Sequence, residues 1–170
     1  YPKVPIVCIL HDYIDEKRRA VLEMHSSPNQ YFISISNNQR RDAPDLNYIA
    51  TVYNGIDVDH FELSDKTEGY LMYSGRITPE KGVKEAVQVA IQSNRRLLIA
   101  GSLSKPAYSY FDEHIKPFLN DNRNVIWNGH CENVPKLLKN CDVLILPSAQ
   151  DGFGLVILEA FAAAVPVIVS

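Results

Sequence analysis

Long apolar runs are missing from this chain of 170 residues. The longest, residues 165–169 with its neighbours, falls far short of the roughly 20 residues that a helix needs to cross a bilayer, so no membrane span is expected. Residues 1–10 are apolar but no small-residue cleavage site follows them, and a secretory signal is not expected. Positive charge is not in excess either. Lys and Arg total 17 against 20 Asp and Glu, with no basic run, so neither nucleic acid nor an anionic membrane surface is called for. Cysteine is scarce and odd in number. Cys8, Cys131 and Cys141 lack C-x-x-C spacing and read as small core residues, which points to a reducing, cytoplasmic setting. His130 adjoins Cys131, but no second ligand pair stands at metal-like spacing, so no metal site is expected. Three nucleotide and hydrolase signatures are absent. Lack of G-x-x-x-x-G-K-[ST] argues against a P-loop nucleotidase, lack of G-x-G-x-x-G against a dinucleotide fingerprint, and lack of G-x-S-x-G against a nucleophile elbow.

What is present is a globular composition, 46% hydrophobic and 22% charged, enough to build a core. Short β-branched runs recur at residues 5–10, 31–34, 48–52, 71–73, 96–100, 124–127, 143–146 and 166–169. Several are apolar throughout, as strands buried on both faces are. Helical periodicity lies between them. Thr78-Pro79-Glu80 offers an N-cap and a proline at the first helical position, followed by a stripe of Val83, Ala86, Val87, Ala90 and Ile91. A second stripe is Tyr108, Phe111, Ile115, Phe118 and Leu119, and a shorter one is Val134, Leu137 and Leu138. The alternation predicts an α/β, doubly wound architecture with parallel sheets. A polar stretch at residues 62–69, after the turn Asn54-Gly55-Ile56-Asp57, marks a domain boundary. The residues before it are too few for a self-standing doubly wound domain, which takes about 100 or more. Both ends of the chain therefore read as cut.

Two segments carry candidate chemistry. Ser74-Gly75-Arg76-Ile77-Thr78-Pro79-Glu80-Lys81-Gly82 follows a strand and opens a helix expected near Thr78. Ligands of open α/β sheets bind beyond the carboxyl ends of strands. Arg76 and Lys81 there either clamp a diphosphate or are solvated residues at a helix start. The second segment runs from Asp151-Gly152-Phe153-Gly154-Leu155 to Glu159, with its helix expected near Phe153. Its glycines let a backbone approach a ligand, and its free N–H groups can grip an anion or sugar hydroxyls. Asp151 and Glu159 are up to about 12 Å apart along the axis, too far for an acid/base pair, but suited to anchoring opposite ends of a long ligand. The alternative is a plain N-cap Asp and a surface Glu. The helix is apolar nearly all round and reads as largely buried, and a buried acid usually has a partner. His11, after the first strand, either donates to a ligand or satisfies a backbone group. Gly101, after the strand at 96–100, lines a cleft or turns the chain.

In order along almost the whole chain, these segments resemble the family 4 (group 1) retaining glycosyltransferases of the GT-B fold. Residues 5–7 through His11-Asp12, Ile33-Ser34-Ile35-Ser36-Asn37-Asn38-Gln39, Asn54-Gly55-Ile56-Asp57, Gly75-Arg76 with Glu80-Lys81-Gly82, and Asp151 to Glu159 as the Glu-x7-Glu motif carry the likeness. The resemblance implies two Rossmann-like domains, both incomplete in this chain. Residues 1–57 would be the closing part of an acceptor-side domain, 58–69 the connection, and 70–170 a donor-binding domain cut at its C-terminus. It implies transfer of a hexosyl group from a UDP- or GDP-linked sugar to an unknown acceptor hydroxyl, with retention and without metal or cofactor. Arg76 and Lys81 would bind the diphosphate, Glu159 the ribose, and Asp151 the transferred sugar, with His11 near that sugar. Gly75, Gly101 and the backbone of Gly152, Phe153, Gly154 and Leu155 would line the donor. Two departures stand out: Asp151 replaces Glu, and Ala163-Ala164-Val165-Pro166 stands where Cys-Gly-Thr-Pro is common. A sugar-nucleotide epimerase or a non-catalytic binding module are the rival readings. Membrane association is left open for the parent protein, and the chain by itself is expected to show little transferase activity.

Overall fold

The computed structural model describes residues 4–121 and 124–170; the first three residues of the expected first domain lie outside them. The described residues form two compact units. One comprises residues 1–55 and 151–154, the other residues 56–150 and 155–170.

In the first unit, β1 (Ile6–Leu10), β2 (Gln30–Ser34) and β3 (Tyr48–Thr51) form a parallel sheet in the order β1-β2-β3. The helix α1 (Glu16–Met24) crosses from β1 to β2, and Asp15 caps it by accepting from Arg18 N–H. A 3₁₀ turn at Gln39–Asp42 follows β2. The buried residues include Phe32 and Ile35, but also Ser34, Ser36 and Gln39. β1 is an edge strand, so its apolar Ile6, Val7 and Ile9 are exposed.

The second unit has strands β4 (Tyr70–Ser74), β5 (Arg96–Ala100), β6 (Val125–Gly129), β7 (Val143–Leu146) and β8 (Val167–Val169), all parallel. Its helices are α2 (Val83–Gln92), α3 (Tyr108–His114), α4 (Lys116–Asp121), α5 (Val134–Asn140) and α6 (Leu155–Ala162). The strand order is β6-β5-β4-β7-β8. Both faces of the sheet are covered. Leu71 and Tyr73 of β4 pack with Leu97, Ile99, Val83, Val87 and Phe111, while Tyr70 and Met72 pack with Leu144, Leu138 and Ala160. This two-sided burial accounts for strands that are apolar at every position. The doubly wound α/β fold expected from the alternation is present.

Several boundaries differ from the sequence reading. Thr78 precedes only a 3₁₀ turn, Pro79–Lys81, and its side chain makes no capping bond. The α-helix begins after Gly82, whose φ of 71° lies in the left-handed region. The stripe from Tyr108 to Leu119 is two helices. Pro117 has no N–H to continue the first one, and the break falls at Ile115. The last helix starts at Leu155 rather than near Phe153. It is not largely buried: Ala160 is enclosed, but Leu155 and Phe161 are exposed.

Candidate functional site

In the second unit, the strand order reverses direction between β4 and β7, since the chain winds from β4 outward through β5 to β6 and then returns to β7 on the other side. At such a switch point the loops leave the carboxyl ends of adjacent strands on opposite faces and open a crevice. The loop after β4 holds Gly75, Arg76 and Lys81. It is fastened to the loop after β7 at several points. Ala149 N–H donates to the Glu80 carbonyl at 2.9 Å, and the Lys81 ammonium donates to the Gln150 carbonyl at 3.1 Å. Gly82 sits so close to Pro147 that any Cβ there would run into the Pro147 carbonyl. Lys81 therefore lies against the loop that follows β7.

The other flank of that loop is held by β5. Gly75 N–H donates to the Ala100 carbonyl and Ile77 N–H to the Ser102 carbonyl, both at 3.1 Å. Tyr73 donates its hydroxyl to the Arg76 carbonyl at 2.9 Å. Gly101 is buried, and a Cβ on it would collide with the Gly75 carbonyl. Close packing of two strand ends thus accounts for glycine at 101, where the sequence left a turn or a cleft lining.

Charge is arranged unevenly. Arg76 is exposed, and Lys81 is half-buried. Between them Glu80 is subject to burial, which raises a carboxyl pKa. Hydrogen bonding and the Arg76 and Lys81 charges outweigh that effect and hold it below the ordinary range. Glu159, on α6, is opposite in behaviour. Burial pushes its carboxyl pKa up. Among the described residues its side chain has no hydrogen-bond or ion-pair partner. A desolvated carboxylate without a protein partner is suited to accept hydroxyl groups from a ligand.

In the first unit, His11 follows β1 and is exposed. The segment Asp151–Gly154 belongs to this unit. Asp151 Oδ1 accepts the Gly154 N–H at 3.2 Å, and Gly154 has a φ of 73°. Phe153 lies against Tyr53 with ring centroids 5.7 Å apart. Gly152 stands over the His11–Tyr13 backbone: a Cβ there would be 3.7 Å from the His11 carbonyl oxygen. The candidate residues are thus gathered as two sets: Gly75, Arg76, Lys81, Gly101, Leu155 and Glu159 in the second unit; His11, Asp151, Gly152, Phe153 and Gly154 in the first.

Sequence reasoning placed Ser36 and Gln39 in a segment of family likeness but gave them no role; they are buried polar side chains bonded to these segments. Their Ser-x-x-Gln spacing is that of a capping box, a signal within that segment that singles them out.

The family described as "Glycosyl transferases group 1" matches residues 57–170. Over 131 residues the chain is 34% identical to a capsular polysaccharide biosynthesis glycosyltransferase of Staphylococcus aureus, covering 68% of this chain and 34% of that protein. It is 32% identical over 136 residues to a glycogen synthase of Mycobacterium tuberculosis, covering 75% of this chain and 33% of that protein. The chain thus spans about a third of the length of these curated relatives. An Anabaena protein solved in complex with UDP and glucose superposes with a TM-score of 0.83 at 20% identity, over 97% of this chain and 52% of that chain. A glycosyltransferase involved in lipopolysaccharide biosynthesis superposes with a TM-score of 0.73 at 18% identity, over 99% of this chain and 58% of that one. The fold is of GT-B type.

Proposed function

The chain belongs to the group 1 glycosyl transferases, and from that premise we propose that it carries the donor-binding part of a hexosyltransferase. The parent enzyme takes its sugar from a nucleoside diphosphate sugar, UDP- or GDP-linked, and passes it to an acceptor hydroxyl with retention, as family 4 enzymes do. The observation that carries this reading is that the loop after β4, which bears Arg76 and Lys81, is fastened at the switch point of the sheet to the loop after β7, while the helix α6 of the same unit carries Glu159, a half-buried carboxyl with no partner among the described residues.

Each group has a physical task. The planar guanidinium of Arg76 and the compact ammonium of Lys81 offset the charge that grows on the diphosphate as the glycosidic bond breaks. Both are fixed cations, and the reading assigns their task to no metal or cofactor. Glu159, ionised, accepts the two ribose hydroxyls. Asp151 takes a hydroxyl of the transferred sugar, and His11 stands beside that sugar. Gly75 and Gly101 let the backbone come close to the phosphates, and the N–H groups near Gly152, Phe153, Gly154 and Leu155 contact the sugar. Unpaired Cys8, Cys131 and Cys141 support a cytoplasmic setting. Among the described residues no helix is long and apolar enough to cross a membrane.

Titration of the full-length protein with UDP tests this. Arg76→Ala and Glu159→Ala should each weaken binding by about 2 kcal/mol, on the order of 30-fold, as loss of charge-assisted hydrogen bonds does. Unchanged affinity in both variants would remove the donor-site assignment. One observation favours a second reading, a binding module without transfer: Asp151, one methylene shorter than the family's Glu, already spends Oδ1 on Gly154 N–H. Release of free sugar or glycoside from the donor decides between the two.

A further inference from the structure

The first unit contains a polar cluster that no role described so far uses. Gln39 is 1% exposed. Its Nε2 donates to the Leu10 carbonyl at 2.8 Å and to the Asp12 carbonyl at 2.7 Å, and its Oε1 accepts the Ile35 N–H at 3.0 Å. The two carbonyls it grips flank His11. Ser36, 7% exposed, accepts the Gln39 N–H on Oγ at 3.0 Å and donates its own proton to the Gly152 carbonyl at 2.7 Å. Gly152 in turn rests against the backbone of His11 and Tyr13.

An amide hidden in the interior is costly unless satisfied, and this one is satisfied by main-chain groups alone. A helix cap needs only the Ser36–Gln39 bond. The bonds to the Leu10, Asp12 and Gly152 carbonyls reach two distant segments of chain, one bearing His11 and one bearing Asp151. Main-chain carbonyls held this way fix the direction in which the intervening side chain leaves the backbone. Catalytic geometry must be held to about 0.5 Å, and a shift of about 1 Å costs on the order of 100-fold in rate.

We infer that Ser36 and Gln39 are positioning residues: a single turn, residues 36–39, holds the His11 segment and the Asp151–Gly154 segment in register for the transferred sugar. Neither touches the donor. The inference rests on the reading above in which His11 and Asp151 face that sugar, and it predicts a split. The nucleotide is bound by Arg76, Lys81 and Glu159, so loss of the clamp spares nucleotide affinity and lowers turnover.

The test uses the full-length protein with Ser36→Ala, Ser36→Thr and Gln39→Glu. Turnover is read as nucleoside diphosphate release from UDP-glucose, UDP-N-acetylglucosamine and GDP-mannose, with UDP affinity by calorimetry. Hydrogen exchange is followed in peptides spanning residues 8–14 and 150–155. Ser36→Ala should lower kcat by about tenfold with KM and UDP affinity within about twofold, and speed exchange in both peptides. Ser36→Thr, which keeps the hydroxyl, should restore both. Gln39→Glu should gain part of its activity back as pH falls, because only the protonated carboxyl can donate, and its single O–H reaches one of the Leu10 and Asp12 carbonyls. Normal exchange and normal kcat in Ser36→Ala would overturn the inference. If Arg76→Ala and Glu159→Ala leave UDP binding intact, the donor-site reading fails instead, and if no donor is turned over, the transferase reading fails. The exchange data still decide whether the clamp exists.

Discussion

Glu159 is a charged group in surroundings that disfavour charge, and its side chain finds no compensating partner among the described residues. Its folded pKa is raised, so the protonated form is favoured on folding. Its contribution to stability is fully present below the ordinary carboxylate range and is lost as pH rises through the raised value. Glu159→Gln should therefore raise Tm at pH 7, and the gain should vanish on acidification below about 4.5, where both side chains are neutral. Thermal unfolding across that pH range measures it. The same variant should bind UDP more weakly, since a neutral amide accepts the ribose hydroxyls less strongly than a carboxylate. Stability rising while affinity falls is the signature of a residue kept for a ligand. Cys141 shows the reverse case. Burial, with a smaller contribution from Asp142, pushes its thiol pKa up to about 12, so it stays protonated. In the native protein it should resist thiol reagents at pH 8 on a timescale over which unfolded chain reacts fully.

At the scale of elements, α2 and α6 end alike and are closed by different residues. In α2, Arg95 N–H donates to the Ala90 carbonyl and Asn94 N–H to the Ile91 carbonyl, with Asn94 at φ 51°. In α6, Val165 N–H donates to the Ala160 carbonyl and Ala164 N–H to the Phe161 carbonyl, with Ala164 at φ 56°. Both are Schellman closures, whose left-handed residue is usually glycine or asparagine. Alanine there brings Cβ against the following carbonyl, at about 1 kcal/mol. The departure read in residues 163–166 thus falls on a backbone position that requires a left-handed residue. Ala164→Gly should stabilise the fold by about 1 kcal/mol. Gly82→Ala should do the opposite and more strongly, because it adds strain at φ 71° and a collision with Pro147. Paired denaturant titrations of the two variants check both signs. Gly82 also explains why the sequence mislocated the start of α2. Thr78-Pro79-Glu80 has the composition of a helix start, yet contact with the loop after β7 places a left-handed residue at 82 and defers the helix to Val83.

For the molecule as a whole, the relevant fact is extent. The chain spans about a third of its curated relatives' length. The groups proposed to hold the nucleotide lie together in one unit. We therefore expect the 170-residue chain to bind UDP and to transfer no sugar. Calorimetry and product chromatography on the purified chain check the two halves separately, and turnover by the chain alone would contradict the second. Exposed apolar residues on the edge strand β1 should also make it associate as concentration rises, which sedimentation would show.

The sequence by itself determined the strands, because short β-branched runs bounded by turn residues and helical periodicity fit a pleated backbone and little else. All eight runs it marked are strands. It also marked the candidate charges, since Arg76 and Lys81 follow the apolar run at 71–73 and Glu159 interrupts the apolar sequence of the last helix. Tertiary structure alone decided the strand order, and with it that the loops after β4 and β7 are the ones that flank the switch point. It alone decided that Glu159 lacks a partner among the described residues and that Gln39 grips two carbonyls across 27 and 29 residues of chain. Periodicity reports which face of an element meets the core. It carries no information on which neighbour, from how far along the chain, supplies the other half of each contact.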